Sequence, residues 1–395
     1  MSAPAPAVRV ALIAGEHSGD QLGFKLMRAL RAQTGGAIEF FGVGGEAMEG
    51  EGLKSLFPIG EIAVMGVLPV AAKLPILLKR MGQTAEAVIA ERPDALVIID
   101  SPDFTHRVAR RVRRVLPGLP VIDYVSPSIW AWRPGRARAM RAYVDCVLAL
   151  LPFEPEAHAR MGGPRCVYVG HPLIERLNEL RPDADEARRR ASQPPLVAVL
   201  PGSRRSVIAR LMDDFGGALA LLARLAGPLE IVLPTLPHVE GEVRARAARW
   251  AVEPRIEVGE AAKLAAFRAA RAALAASGTA TLELALAGVP MVGAYKVSRL
   301  EEQLKYFIKL PPLILLPNLI LGERAIPELL QRDCAPANLA AALADLLREG
   351  PVRSAQVAAL ARLDRLMLAG DGVVPSERAA REVLATIEAR GARTT

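Results

Sequence analysis

The sequence predicts an α/β protein built from two successive doubly wound parallel sheets, and three observations carry the prediction. Short aliphatic runs alternate with longer Ala, Leu and Arg segments of helical period. Runs such as ALVIID at 95–100 lack polar alternation, which marks strands covered on both faces by helical crossovers. The pattern breaks in a charged, proline-bounded stretch, NELRPDADEARRRASQPP, and then restarts. At 395 residues the chain is too long for one ordinary domain, and with only 4% aromatics its core must come from Ala, Leu and Val. An all-β sandwich is disfavoured.

In the first half, Val8–Ala14, Ile38–Val43, Ala95–Asp100, Pro120–Val125 and Cys146–Leu151 read as strands. In the second half, strands at Leu196–Leu200, Leu229–Leu233, Arg255–Val258, Ala272–Ala276 and Val289–Gly293 alternate with helices at Val207–Leu225, Gly241–Ala251, Ala261–Ala270 and Thr279–Ala287. Helical periodicity continues over Asn338–Leu347 and Val352–Met367, and a last amphipathic helix near Ser376–Ala389 can return to the first half. The expected domains are 1–177 and 196–369, with 178–195 as linker and the helix within 370–395 packing back on the first.

A net charge of +8 favours anionic or phosphorylated partners. Cys146, Cys166 and Cys334 lie far apart without CxxC spacing, so neither a disulfide framework nor a zinc site is expected, and a reducing, cytoplasmic setting fits. MSAPAPAVRV lacks the pattern of an export signal. The apolar run Ile62–Ala72 ends at Lys73, and Leu310–Gly322 is broken by Pro311, Pro312 and Pro317; both fall short of the ~20 apolar residues of a spanning helix.

Motifs that bear chemistry stand after the strands. Gly15-Glu16-His17-Ser18-Gly19-Asp20 follows the first, before a helix expected to begin near Gln21, and offers backbone donors to an anion or a sugar hydroxyl. Ser18 or Asp20 as helix cap accounts for part of it, but not for Glu16. The glycines of Gly42-Val43-Gly44-Gly45 allow either close approach of a ligand or a tight turn. Asp100-Ser101-Pro102-Asp103 stands at the edge where open α/β sheets bind ligands, with Asp103 also suited to cap a helix entered near Thr105. Trp130 and Trp132, beside Arg133, suit a sugar or acyl wall as well as they suit core packing. In the second half, Gly202, Ser203 and Arg204 of LPGSRRS suit a pyrophosphate. Ser277, Gly278 and Thr279 open another helix and offer its N-terminus to a phosphate, while Glu283 can accept ribose hydroxyls; helix capping by Thr279 is the alternative.

GEHSGD, FFGVGGEAM, IAVMGV, IIDSPDF, YVSPSIWAWR, GHPL, LPGSRRS, SGTATLELALAGVPMV, AYK, LPNLILGE and PELLQ, in this order over residues 8 to 335, resemble the lipid-A-disaccharide synthase family of inverting glycosyltransferases. YVSPSIWAWR and IIDSPDF are specific to it, whereas GSR and SGTATLE are shared by many sugar-nucleotide enzymes. The resemblance implies a GT-B fold, two Rossmann-like domains facing each other across a cleft. It implies condensation of UDP-2,3-diacylglucosamine with 2,3-diacylglucosamine 1-phosphate to a β-1,6-linked disaccharide and UDP. It favours Asp100 over Asp103 as general base, with Glu16 positioning substrate hydroxyls or serving as the rival base, and adds Asn318 of LPNLILGE to the substrate-binding set. Val207 and Glu175 depart from its usual pattern.

No cofactor and no metal are expected, since Asp183-Ala184-Asp185, the lone DxD, lies in the charged stretch and no His cluster supplies ligands. Peripheral association with the cytoplasmic face of the inner membrane is expected through Ile62–Leu78, tested by polar replacements at Val67, Leu68 and Val70. A homodimer is compatible with the sequence but not specified by it. The rivals are another UDP-N-acetylhexosamine enzyme of the same fold and a nucleic-acid binder based on the arginines of 107–114 and 133–141, which lack interleaved aromatics.

Overall fold

The computed structural model describes residues 7–63, 67–130, 135–297, 312–368 and 372–391, with backbone alone for 67–72 and 391. The chain forms two compact units, Met1–Pro172 with Leu368–Thr395, and Leu173–Met367.

The first unit runs β1 (Val8–Ala14), α1 (His17–Gln33), β2 (Ile38–Val43), α2 (Glu46–Gly50), β3 (Lys54–Ser55), α3 (Val67–Glu91), β4 (Ala95–Ile99), α4 (Pro102–Val115), β5 (Val121–Tyr124), α5 (Gly135–Met140), β6 (Cys146–Ala149), α6 (Glu154–Arg160) and β7 (Arg165–Tyr168). Its strands pair in parallel in the order β3-β2-β1-β4-β5-β6-β7. β4 is buried along its whole length because one face packs on α1 and the other on α3 and α4.

The second unit runs α7 (Leu177–Leu180), α8 (Ala184–Ala191), β8 (Leu196–Leu200), α9 (Arg205–Ala226), β9 (Glu230–Thr235), α10 (Glu240–Ala247), β10 (Arg255–Val258), α11 (Glu260–Ala269), β11 (Ala272–Ala276), α12 (Thr279–Leu286), β12 (Met291–Tyr295), α13 (Leu316–Leu321), β13 (Glu328–Leu330), α14 (Pro336–Leu347), α15 (Pro351–Leu360) and α16 (Leu363–Met367). The sheet order is β10-β9-β8-β11-β12-β13, all parallel. Leu339, Leu343 and Leu346 of α14 pack with Phe215, Leu219 and Leu222 of α9 in one core. The final helix, α17 (Pro375–Gly391), packs on α1 of the first unit: Ala379, Ala380 and Val383 share a core with Leu26, Met27 and Leu30. Polar contacts hold it at both ends, Gln33 donating to the Glu377 carbonyl at 2.8 Å and Arg390 pairing with Asp145.

Several expectations change. Residues 178–195, read as a linker, fold within the second unit. Asp183 caps α8, accepting the N–H groups of Asp185 and Glu186 while Glu186 answers in a capping box. Arg190 donates to the carbonyls of Phe267, Arg268 and Ala287 at 2.7–2.9 Å. The charges that suggested a solvated segment thus bind a surface helix down, and the DxD motif is a helix cap. The periodic run 352–367 is two helices, interrupted after Leu360. α1 begins four residues before the expected start near Gln21. Among the described residues no helix is long and apolar enough to cross a membrane.

Candidate active site

Each sheet reverses its strand order once, beside its first strand, and the carboxyl ends flanking such a point form the ligand crevice of doubly wound folds. In the first unit these are the ends of β1 and β4. A Cβ on Gly15 would lie 2.2 Å from the Cβ of Ser101, so only glycine lets the two turns close on each other. That closure ties Glu16 to the β4 turn: the Ser101 hydroxyl donates to Glu16 Oε1 at 3.2 Å. Asp100 and Ser101 both have left-handed backbone, φ +53° and +46°, a strain that non-glycine residues bear where the surroundings over-determine them. The determinants are short bonds. The Asp100 N–H donates to the Tyr124 carbonyl at 3.1 Å, Thr105 Oγ1 donates to the Asp100 carbonyl at 2.7 Å, and the Ser101 N–H donates to Asp100 Oδ1 at 2.7 Å.

Burial pushes the Asp100 carboxyl up from the ordinary aspartate value, and the charge of Asp123 adds to this; the Ser101 N–H and the Ser18 hydroxyl oppose it. Asp123, on β5, is 1% exposed and lies 3.2 Å from His106 Nε2. Sequence reading missed it because VIDY looks like an ordinary buried strand, in which a lone acid gives the only signal.

In the second unit the switch point joins the ends of β8 and β11. Gly202, with φ +111°, and Ser203 lead to α9, whose N-cap is Arg204. Ser277 and Gly278 lead to α12, with Gly278 as N-cap and Thr279 as first helical residue, so Thr279 does not cap the helix. A cavity of about 340 Å³ opens here, walled by Gly202, Ser203, Ser277, Gly278, Thr279, Glu260, Lys263 and Glu283. A Cβ on Gly278 would meet nothing within 4 Å. Arg204 is exposed, next in sequence to Ser203 but not part of the cavity wall. Glu283 is 8% exposed and both its oxygens accept from Lys263 Nζ, at 2.9 and 3.0 Å. Lys263 comes from another helix, 20 residues away, and no motif announced it.

Other expected residues are drawn elsewhere. Asn318 is fully buried; its Nδ2 donates to the Ile326 carbonyl and Glu328 Oε1, both at 2.8 Å, and its Oδ1 accepts from the Ile326 N–H at 2.9 Å. Its amide is thus committed to holding β13, and the structure does not bring it to a ligand surface. Asp20 does not cap its own helix: its carboxylate accepts the N–H groups of Gly45, Met48 and Ala47 at 2.8–3.2 Å and caps α2. Gly42, Gly44 and Gly45 are needed for packing, since Cβ atoms there would strike the Leu12 carbonyl, Leu53 and the Asp20 carboxylate at 2.0, 2.5 and 2.8 Å. Asp103 is exposed in the first turn of α4, 3.3 Å from Arg136. Trp130 meets Phe153 edge to face at 5.2 Å and donates to Glu154, whose carboxyl burial pushes up to about 7. Trp132 and Arg133 lie outside the described residues. Among those described, no group of three or more His, Cys, Asp and Glu is arranged to hold a metal ion.

Two Rossmann-like domains with small-residue turns at both switch points place the chain in the GT-B fold class. Solved structures agree on the fold: the S. aureus MnaA–UDP co-structure (TM-score 0.65, 14% identity, 96% of this chain and 97% of that one) and Acinetobacter baumannii MurG (0.55, 15%, 97% and 100%). The family model for lipid-A-disaccharide synthetase matches residues 10–368. Lipid-A-disaccharide synthases of Nitrobacter hamburgensis and Bradyrhizobium diazoefficiens are 56% and 54% identical, over 96% and 97% of both chains. The chain belongs to the lipid-A-disaccharide synthetase family, and is a glycosyltransferase of lipid A biosynthesis.

Proposed function

We propose that the chain transfers the sugar of UDP-2,3-diacylglucosamine to the 6-hydroxyl of 2,3-diacylglucosamine 1-phosphate with inversion, giving the β-1,6-linked disaccharide 1-phosphate and UDP. The O6–C1 bond forms as the C1–phosphate bond breaks, and Asp100 takes the O6 proton. The observation that carries this reading is the Asp100 carboxylate at the carboxyl end of β4, fixed by its own turn, with burial raising its affinity for protons. A carboxylate whose affinity for protons is raised is the better acceptor for the O6 proton. Glu16, hydrogen-bonded to Ser101, positions acceptor hydroxyls. Gly15 and Ser18 complete this turn.

The UDP moiety is assigned to the second unit. Its diphosphate meets the helix N-termini at Gly202, Ser203 and Ser277–Thr279, with Arg204 as the charged partner, and its ribose meets Glu283. We also assign the chain to the cytoplasmic surface of the inner membrane. Leu74, Ile76 and Leu78 of α3 are 46, 45 and 42% exposed beside Lys73 and Lys79, which suits an interfacial helix over anionic head groups. The side chains of Val67, Leu68 and Val70 lie outside the described residues.

Incubating the protein with both lipid substrates in mixed micelles tests the chemistry. UDP release that requires the acceptor, with a β anomeric signal in the product, supports it; release without acceptor points to another UDP-sugar reaction. Flotation with anionic vesicles, lost on Leu74→Ser with Ile76→Ser, supports the membrane assignment.

A further inference from the structure

The assigned donor cavity contains an arrangement that the proposed reaction does not explain. Lys263 projects from α11 onto α12 and places its ammonium 2.9 and 3.0 Å from the two oxygens of Glu283 and 2.9 Å from Glu260 Oε2. Its side chain is 19% exposed and that of Glu283 10%, so the pair sits in the cavity wall, largely out of solvent. Glu260 is in turn held by Arg176 at 3.1 Å. Among the described residues no other cation lies within ion-pair distance of Glu283.

We propose that Lys263 is a positioning residue for the nucleotide: it holds the Glu283 carboxylate in one orientation to accept the ribose hydroxyls, and offsets its charge against the diphosphate. This rests on the assignment of UDP to this cavity. A buried carboxylate without a partner turns toward solvent and repels an anionic ligand in a poorly screened site. Contact of both oxygens with one ammonium holds the carboxylate in place and offsets its charge, and each oxygen keeps a lone pair free for a ribose hydroxyl.

The test is calorimetric titration of the full chain with UDP and with 2′,3′-dideoxy-UDP. Wild type should prefer UDP, and Lys263→Met should bind UDP about tenfold or more weakly while the preference collapses toward one. Lys263→Arg should restore much of both. Since a lone buried Glu283 can harm folding, the double variant Lys263→Met with Glu283→Gln removes that charge; it should match Glu283→Gln alone, without a further loss. If Glu283→Gln abolishes the preference but Lys263→Met leaves it intact, the role of Lys263 is wrong and the ribose assignment stands. If neither variant changes UDP affinity, and wild type does not distinguish the two nucleotides, the cavity assignment itself fails and this inference with it.

Discussion

The two switch points share a strand order and differ in how the turns after the strands meet. In the first unit the turns after β1 and β4 press together, Gly15 against Ser101, and Ser101 hydrogen-bonds both carboxylates, Glu16 through its hydroxyl and Asp100 through its N–H. In the second unit the turns after β8 and β11 both line a cavity, Gly278 facing open space, with backbone donors and a compensated Lys263–Glu283 pair in the wall. Topology offers a candidate site at both positions, and the three or four residues after each strand set the chemistry each could support. A closed turn with a strained acid, Asp100, suits proton transfer, and an open one with helix N-termini suits an anion.

The largest effect that can break this contrast is catalytic. Asp100→Asn should lower turnover by about 10²–10⁴. Glu16→Gln should cost less and act mainly on the acceptor KM. Near wild-type turnover in Asp100→Asn, with Glu16→Gln inactive, would move the base to Glu16. Next comes binding: Arg204→Ala should weaken UDP by roughly tenfold in calorimetry, the scale of one charge-assisted bond. An unchanged Kd would remove Arg204 from the donor site, which its exposed position outside the cavity wall makes a real test.

The glycines compare the turns directly. Gly15→Ala must displace Ser101 and should cost ~1–3 kcal/mol in urea unfolding, whereas Gly278→Ala, meeting nothing, should leave stability within about 0.5 kcal/mol. Equal costs would mean the first turn is not closed as described.

The smallest effects are in the pH dependence of stability. Burial favours a raised Asp145, but Arg390, the Val121 N–H and Arg113 outweigh it and hold it below the ordinary range. Its contribution is therefore present above the unfolded aspartate value and lost as pH falls through the lower folded one. Asp100 is raised, so its ionisation costs stability at neutral pH, and that cost disappears as pH falls below the unfolded value. Asp145→Asn should thus destabilise and Asp100→Asn stabilise at pH 7 in thermal melts, and both differences should shrink in acid.

How much of this could be read from sequence follows from how local each signal is. Strands buried on both faces, such as LVAVL at 196–200 and AALAA at 272–276, have their predicted bounds because continuous apolar runs have no other stable use. The edge strands β3, β7 and β13 were not legible: KS, RCVY and ELL are short and partly exposed. Strand-end motifs were legible as positions, since a turn's residues are contiguous. Partnerships across the fold were not. Nothing in GEHSGD says that Asp20 caps a helix 25 residues on, nothing in LPNLILGE says that Asn318 faces Ile326 and Glu328, and Lys263 looks like any helix-surface lysine until α11 packs beside α12.

The division of labour between the two switch points is tested most directly by one crossed measurement on Asp100→Asn and Glu283→Gln: UDP affinity by calorimetry beside the single-turnover rate at saturating donor. Asp100→Asn should keep its UDP Kd and lose about 10²–10⁴ in rate, while Glu283→Gln should weaken UDP and keep the saturated rate within a few-fold. If Asp100→Asn weakened UDP as much as Glu283→Gln, or if Glu283→Gln lost the saturated rate, the assignment of proton transfer to one unit and nucleotide binding to the other would be contradicted.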